Sequence, residues 1–275
     1  MTTASSTGKV RDLAALDEFV SDGSSIFVGG FTVHRVPMAL VREVIRHGPR
    51  NLTVWSHIGG VAIEFLVAAG LVDVVRSSYV GFDILGPAPH FRDSLRDGSL
   101  TYIEETEATL MFGMKATQYR LPFMPTRALV GSEIVVARDD LQEYDCPLSG
   151  ERLVAVPPVS ADVALVHAQA ADSAGNLALY GTVGNDVEII KVSRRVVASV
   201  ERVVSSAELA RRPEQVLVPG HLVDVVIEVP GGAAPTSCLP AYRADLGALL
   251  DYLHAAEEGR TAAYLRNWVA RGAAS

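Results

Sequence analysis

Ile26-Phe-Val-Gly-Gly-Phe-Thr-Val-His-Arg-Val-Pro37 decides the fold class of this chain. Its first three residues read as a buried strand, and Gly29-Gly30 turns the backbone out of it. Pro37 then opens an amphipathic helix through Ile45, with Met38, Leu40, Val41, Val44 and Ile45 at helical spacing and the proline in the first turn. The same rhythm continues on either side. Leu52 to Trp55, Val74-Val75 with Ser78 to Val80, and Leu100 to Ile103 read as strands; Ile63 to Leu71, Phe91 to Leu95 and Thr109 to Tyr119 read as helices. Beyond Pro122, Asp162 to His167, Leu177 to Tyr180, Arg195 to Val200 and Val223 to Val229 are near-continuous apolar runs, as expected for strands covered on both faces. Leu246 to Leu265 is helical, and Glu143 to Gly150 reads as a loop or insertion. Strand–helix alternation of this kind predicts an α/β fold: a mostly parallel sheet flanked by helices.

The 275 residues are long enough for one large domain, read here as residues 10–275 behind a flexible N-terminal tail at residues 1–9. Apolar residues make up 49% and charged residues 20%, which excludes a disordered chain. The net charge of −8 argues against nucleic acid as a partner, although local arginines can still build one anionic-ligand pocket. The polar start has no apolar leader and no run of about 18 apolar residues occurs, so neither export nor a membrane span is expected and the cytoplasm is the expected location. Cys146 and Cys238 are expected to be free thiols there. The seven histidines form no metal-binding pair, so no metal is expected. Neither a dinucleotide fingerprint, a phosphate-binding P-loop nor a nucleophile elbow is present.

In open α/β sheets ligands bind outside the carboxyl ends of the strands. Gly29, Gly30, Phe31, Gly59, Gly60, Gly131 and Ser132 follow predicted strands or central loops, and a glycine there either admits a ligand or simply makes a tight turn. Glu104, Glu105 and Glu107 lie between a strand and a helix. Acids there complement a helix dipole, with Thr106 as cap, or else serve a buried site.

Taken in order and spacing, several blocks carry a resemblance. They are Val28 to Pro37; Leu121-Pro-Phe-Met-Pro-Thr-Arg127 with Gly131-Ser132; Val154 to Pro157; Ala161 to Asp172 with Gly175-Asn176; and Val218 to Asp224 followed by Pro230-Gly-Gly-Ala-Ala-Pro235 and Cys238. Over roughly Val10 to Val269 the chain resembles the α subunits of the family I CoA-transferases, most of all the glutaconate type. The resemblance implies the CoA-transferase (NagB/RpiA-like) fold and a β-subunit partner carrying a nucleophilic glutamate in a Ser-Glu-Asn-Gly setting. That glutamate forms an acyl anhydride and then a glutamyl-CoA thioester, moving CoA from an acyl-CoA to a carboxylic acid, dicarboxylic or 3-oxo in type. Coenzyme A is then a substrate, and no permanent cofactor is implied. The acyl pocket would draw on Gly29, Gly30, Phe31, Arg35, Gly131 and Ser132. Arg35 stands either as a bidentate partner for a distal carboxylate or as a solvated loop arginine.

One position departs from the transferase pattern. The family places a glutamine before the helix that leads to the Pro-Phe loop, where its amide helps form an oxyanion hole. Gapless alignment from Leu121-Pro122 puts Glu107 there, and an ionised carboxylate only accepts hydrogen bonds. A CoA-transferase-like hydrolase that opens the last steroid ring as a CoA thioester also has glutamate here, as its catalytic candidate. Glu107, with Glu104 and Glu105 as alternatives, is therefore the expected catalytic carboxylate of this chain, and C–C hydrolysis is the alternative to CoA transfer.

Overall fold

The computed structural model describes residues 8–212 and 215–272. Its centre is a seven-stranded sheet: β1 (Ser25–Val28), β2 (Leu52–Ser56), β3 (Val72–Ser77), β4 (Thr101–Glu104), β5 (Ala161–Ala168), β6 (Ser193–Val200) and β7 (Val225–Glu228). The spatial order is β7-β6-β5-β1-β2-β3-β4, and every neighbouring pair is parallel. The helices are α1 (Met38–His47), α2 (Val61–Ala68), α3 (Pro89–Asp97), α4 (Glu107–Tyr119), α5 (Asp186–Val192), α6 (Leu246–Glu257) and α7 (Thr261–Gly272), besides shorter ones.

Strand alternation divides the core into two layers. Ile26 and Val28 face one side, against residues of α1, α2, α6 and α7 that include Leu40, Phe65, Tyr252 and Trp268. Phe27, between them, faces the other, against Leu110 and Met114 of α4 and Ile189 and Ile190 of α5. Each fully buried side chain of this size contributes about 1.5–3 kcal/mol. The first layer also holds a carboxylate: Glu64, fully buried, accepts from the backbone N–H of His90 and of Phe91, each at 3.0 Å, and from the Tyr252 hydroxyl at 2.7 Å. His90 Nδ1 lies 3.0 Å from the same carboxylate. These contacts anchor α3 and α6 to α2.

The predicted elements shift in six places. The strand expected to include Ser78 to Val80 ends at Ser77, and Val80 keeps only an isolated bridge to Gly59. Residues 1–7 of the expected tail lie outside the described residues, while Lys9 is held: its Nζ donates to the carbonyls of Gly220 and Val223 at 2.5 and 2.6 Å, and Val10 forms a parallel bridge with Val226 on β7. Residues 143–145 of the expected loop belong to a strand, Gln142–Asp145, in an antiparallel three-stranded sheet with Arg152–Val156 and Met124–Thr126. Leu177–Ala178 leaves the main sheet for a small four-stranded one, where it pairs antiparallel with Ala170–Asp172. The C-terminal helical region is two helices, broken at Gly259 in the left-handed region (φ 68°). Helix α4 begins at Glu107 rather than Thr109, because Thr106 and Thr109 cap it reciprocally. Cys146 and Cys238 are both free thiols.

Candidate functional site

From β1 the chain builds outward through β2, β3 and β4; from β5 it builds the other way through β6 and β7. β1 and β5 are adjacent, with Phe27 opposite Ala164. Strand order reverses between them, so the crevice beyond their carboxyl ends is the topological switch point where open sheets bind ligands. Gly29, Gly30 and Phe31 leave β1 at this crevice, and Gln169 leaves β5. The glycines are required there. A Cβ on Gly29 would sit 2.7 Å from Asp186 Oδ1, and Gly30 has φ +87° with Val36 backbone 2.8 Å from the place of its Cβ.

Arg35 belongs to the same loop but does not offer its charge to a ligand, contrary to the sequence expectation. It is 2% exposed. Its Nη1 donates to Asp186 Oδ2 at 2.5 Å and to the His167 carbonyl at 2.7 Å, and its Nη2 donates to the carbonyls of Thr182 and Val183, each at 2.9 Å. Asp186, the first residue of α5, also accepts from Gly30 N–H at 2.8 Å. The pair thus ties the β1 loop to the connection between β5 and β6, and the fork geometry that suits a carboxylate is used internally.

The three acids part company. Glu104 ends β4 and is exposed. Glu105 is 2% exposed and fully engaged: Oε1 accepts from Arg76 Nε at 2.9 Å and Nη2 at 2.5 Å, while Oε2 accepts from Arg138 Nη1 at 2.5 Å and Thr109 Oγ1 at 2.6 Å. Its role here is to lock β3, β4, α4 and the 138–140 turn together. Glu107 occupies the first turn of α4, exposed, with no ion pair or side-chain hydrogen bond among the described residues. Gly131 and Ser132 lie away from the switch-point loops, beside the antiparallel sheet. Gly131 N–H donates to Glu143 Oε1 at 2.7 Å, and Ser132 starts the short helix Glu133–Ala137. The structure therefore brings together Gly29, Gly30, Phe31 and Arg35, and sets Gly131 and Ser132 apart from them.

Two further groups at the carboxyl ends went unnoticed in the sequence. His57 is the first residue past β2. Both its ring nitrogens are buried without a hydrogen-bond partner, and burial lowers its pKa below the ordinary value, opposed only in part by the Glu107 carboxylate. Burying an unpaired polar group costs about 1–3 kcal/mol. His57 directly follows a strand and lies within the electrostatic reach of Glu107, and a histidine at that strand end was the available signal. The other group centres on Glu201, just beyond β6. Its carboxylate lies 2.8 Å from His167 Nε2, accepts from Tyr242 Oη at 2.5 Å and from Gly231 N–H at 2.8 Å, and sits beside the Cys238 thiol. Burial pushes that thiol up to about 12, so it stays protonated. His167 Nδ1 is matched by Ser199 Oγ at 2.8 Å. The cluster is a satisfied hydrogen-bond hub that ties residues 231–242 to the sheet. Nothing in its sequence spacing announces it, because its members come from four separate segments.

The coenzyme A transferase family profile matches residues 13–229. The chain is 35% identical over 247 residues to the IpdA chain of the cholesterol ring-cleaving hydrolase of Mycobacterium tuberculosis, covering 84% of this chain and 83% of that one. It is 31% identical over 234 residues to one of the subunits of the 3-oxoadipate CoA-transferase of Pseudomonas knackmussii, covering 84% and 82%. The glutaconate coenzyme A-transferase structure from Acidaminococcus fermentans superimposes with a TM-score of 0.89 at 29% identity, over 95% of this chain and 88% of that one. An uncharacterized Archaeoglobus fulgidus protein, 30% identical over 241 residues, is longer: the match takes in 87% of this chain but 54% of that relative. With the switch-point crevice, the glycine loops and a family match over most of its length, the chain belongs to the coenzyme A transferase family.

Proposed function

We propose that this chain is the α subunit of a two-subunit enzyme that moves CoA between an acyl-CoA and a carboxylic acid, dicarboxylic or 3-oxo in type. A glutamate of the β subunit would carry the glutamyl-CoA intermediate, and coenzyme A would be a substrate rather than a resident cofactor. The observation that carries this reading is the switch-point crevice. Its loops are shaped by glycines that admit Asp186 and the Val36 backbone, and the buried acids Asp186 and Glu105 are consumed internally, so on this reading the transfer nucleophile comes from the partner subunit. Relatives named as subunits of CoA-transferases support it. Among the described residues no helix is long and apolar enough to cross a membrane, and the reading places the enzyme with the cytoplasmic CoA pool.

One observation favours a second reading, hydrolysis of a carbon–carbon bond in a CoA thioester. Glu107 keeps a free carboxylate where the transferases have an amide, and a free carboxylate suits a general base. Relatives named as ring-cleaving hydrolase subunits support this alternative.

The test is co-expression with the β-type subunit, followed by exchange of labelled CoA between acyl-CoA and free acid. Transfer by the complex and none by either chain alone is expected. Turnover by this chain alone, or release of a cleaved acid without an acceptor, would overturn the transfer reading.

A further inference from the structure

The main chain around His57 is held on both sides. Its carbonyl accepts from Ser78 N–H at 3.3 Å and from the Ser78 hydroxyl; Ile58 O accepts from Thr32 N–H at 3.3 Å; Gly59 N–H donates to Tyr79 O at 2.8 Å. The imidazole, by contrast, has no partner at either nitrogen. Native structures leave few buried polar groups unmatched, and a bound ligand is one of the things that completes them.

The ring's place can be read from its neighbours. Trp55, two residues earlier, packs against Phe27 of β1 with ring centroids 5.4 Å apart and lies under the Arg76 guanidinium at 4.2 Å, in the core layer that includes Leu110 and Met114 of α4. His57 follows the end of β2 and feels the Glu107 carboxylate at the head of α4, which puts it at the α4 end of this layer. It is one strand from Gly29-Gly30. The residue is part-exposed, and a half-turn about Cβ–Cγ would exchange its nitrogen and carbon edges with the backbone unmoved. A neutral imidazole carries one N–H donor.

The crevice needs such a donor. In CoA transfer, a glutamate oxygen adds to the thioester carbonyl and the carbonyl π pair moves onto its oxygen; the pair returns as CoA thiolate leaves. In carbon–carbon hydrolysis, water gives a proton to a base and its oxygen adds to the ketone carbonyl; the adduct collapses to the acid as the carbon–carbon bonding pair leaves onto the carbon next to the thioester, delocalises onto the same oxygen as an enolate, and is then protonated. Both place negative charge on the thioester oxygen, where a hydrogen-bond donor stabilises it; the amide donor of the transferases is replaced by a carboxylate at Glu107.

We propose that His57 is a catalytic residue of this site, its imidazole N–H donating to the thioester carbonyl oxygen of bound acyl-CoA and stabilising the oxyanion or enolate that forms there. This rests on the reading of the substrate as a CoA thioester and holds for either reaction.

The test compares wild type, His57→Gln and His57→Phe, each assembled with the β subunit. The probe is acetyl-CoA labelled with carbon-13 at the carbonyl, read by isotope-edited infrared difference spectroscopy. The bound carbonyl stretch is expected to fall below its value in water for wild type, to keep much of that shift in His57→Gln, and to lose it in His57→Phe. Turnover of the complex should fall on the order of 10²–10³-fold in His57→Phe with little change in KM, and recover in part in His57→Gln. If the Phe variant does not assemble, His57→Asn, whose amide is shorter, takes its place. An unshifted stretch in wild type, or the same stretch in all variants, would overturn the proposal. A His57-dependent stretch in a complex that neither transfers nor hydrolyses would sink the proposed function and the catalytic role together, leaving only the hydrogen bond from His57 to the thioester carbonyl.

Discussion

Arg35 Nη1 lies 2.5 Å from Asp186 Oδ2, and the two side chains are only 3% and 1% exposed. Removing one partner strands the other charge in the interior. Arg35→Met should therefore cost about 3–5 kcal/mol of stability, measured by urea unfolding. The double variant Arg35→Met/Asp186→Leu should lose less than the single one. A wild-type melting curve together with a raised KM for a carboxylate-bearing acyl-CoA would instead restore Arg35 as a substrate anchor.

Glu105 and Glu107 should separate stability from activity. Glu105→Gln weakens two ion pairs at once and should cost about 3 kcal/mol. Glu107→Gln touches no internal partner and should leave stability within about 0.5 kcal/mol. In a transferase it restores an amide donor, so exchange activity of the assembled enzyme is expected to hold or rise. A loss of about 10²–10⁴ in turnover would identify Glu107 as a general base and move the assignment to hydrolysis.

The contact between His90 and Glu64 predicts a pH dependence. The hydrogen bond to Glu64 raises the His90 pKa above 6.5, outweighing burial. A raised folded value means the folded state holds the proton more tightly. The resulting stabilisation is full below the unfolded pKa and is lost as pH rises through the folded one. Across that window above pH 6.5, the difference in unfolding free energy between wild type and His90→Gln should shrink as pH rises. A difference that stays flat would mean His90 is not charged in this contact.

Gly60 is where three loops meet. An added Cβ would sit 2.9 Å from Thr32 O and 3.0 Å from Gly81 O, both backbone atoms with little freedom to give. Gly60→Ala should cost about 1–3 kcal/mol and lower activity of the assembled enzyme, because it pries apart the loops that carry Gly30 and His57. Unchanged melting and turnover would show that these loops are not a rigid wall.

How much of this was legible beforehand depends on the kind of signal. That the sheet is covered on both faces was readable because runs such as Asp162 to His167 are nearly all apolar, and α1 was readable because Pro37 and its apolar stripe agree. Strand order was not, since nothing local in Asp162 to His167 says that it pairs with β1. Glu105 and Glu107 look alike in sequence; only the arrival of Arg76 and Arg138 from distant segments makes one structural and leaves the other free. Arg35 misled for the same reason, since Asp186 lies 151 residues away. His57 was overlooked because a lone histidine after a strand has no partner residue to form a motif with.

The contacts of Lys9 and Val10 bear on solubility. Val226 N–H donates to Lys9 O and Arg11 N–H donates to Val226 O, each at 2.9 Å, while the Lys9 ammonium occupies two nearby carbonyls. The rim of β7 is thereby denied to any strand from another molecule, and an uncovered sheet edge is a template for aggregation. Deleting the residues before Asp12 should leave the core folded but make concentrated solutions turn cloudy, and light scattering would register the change where circular dichroism would not.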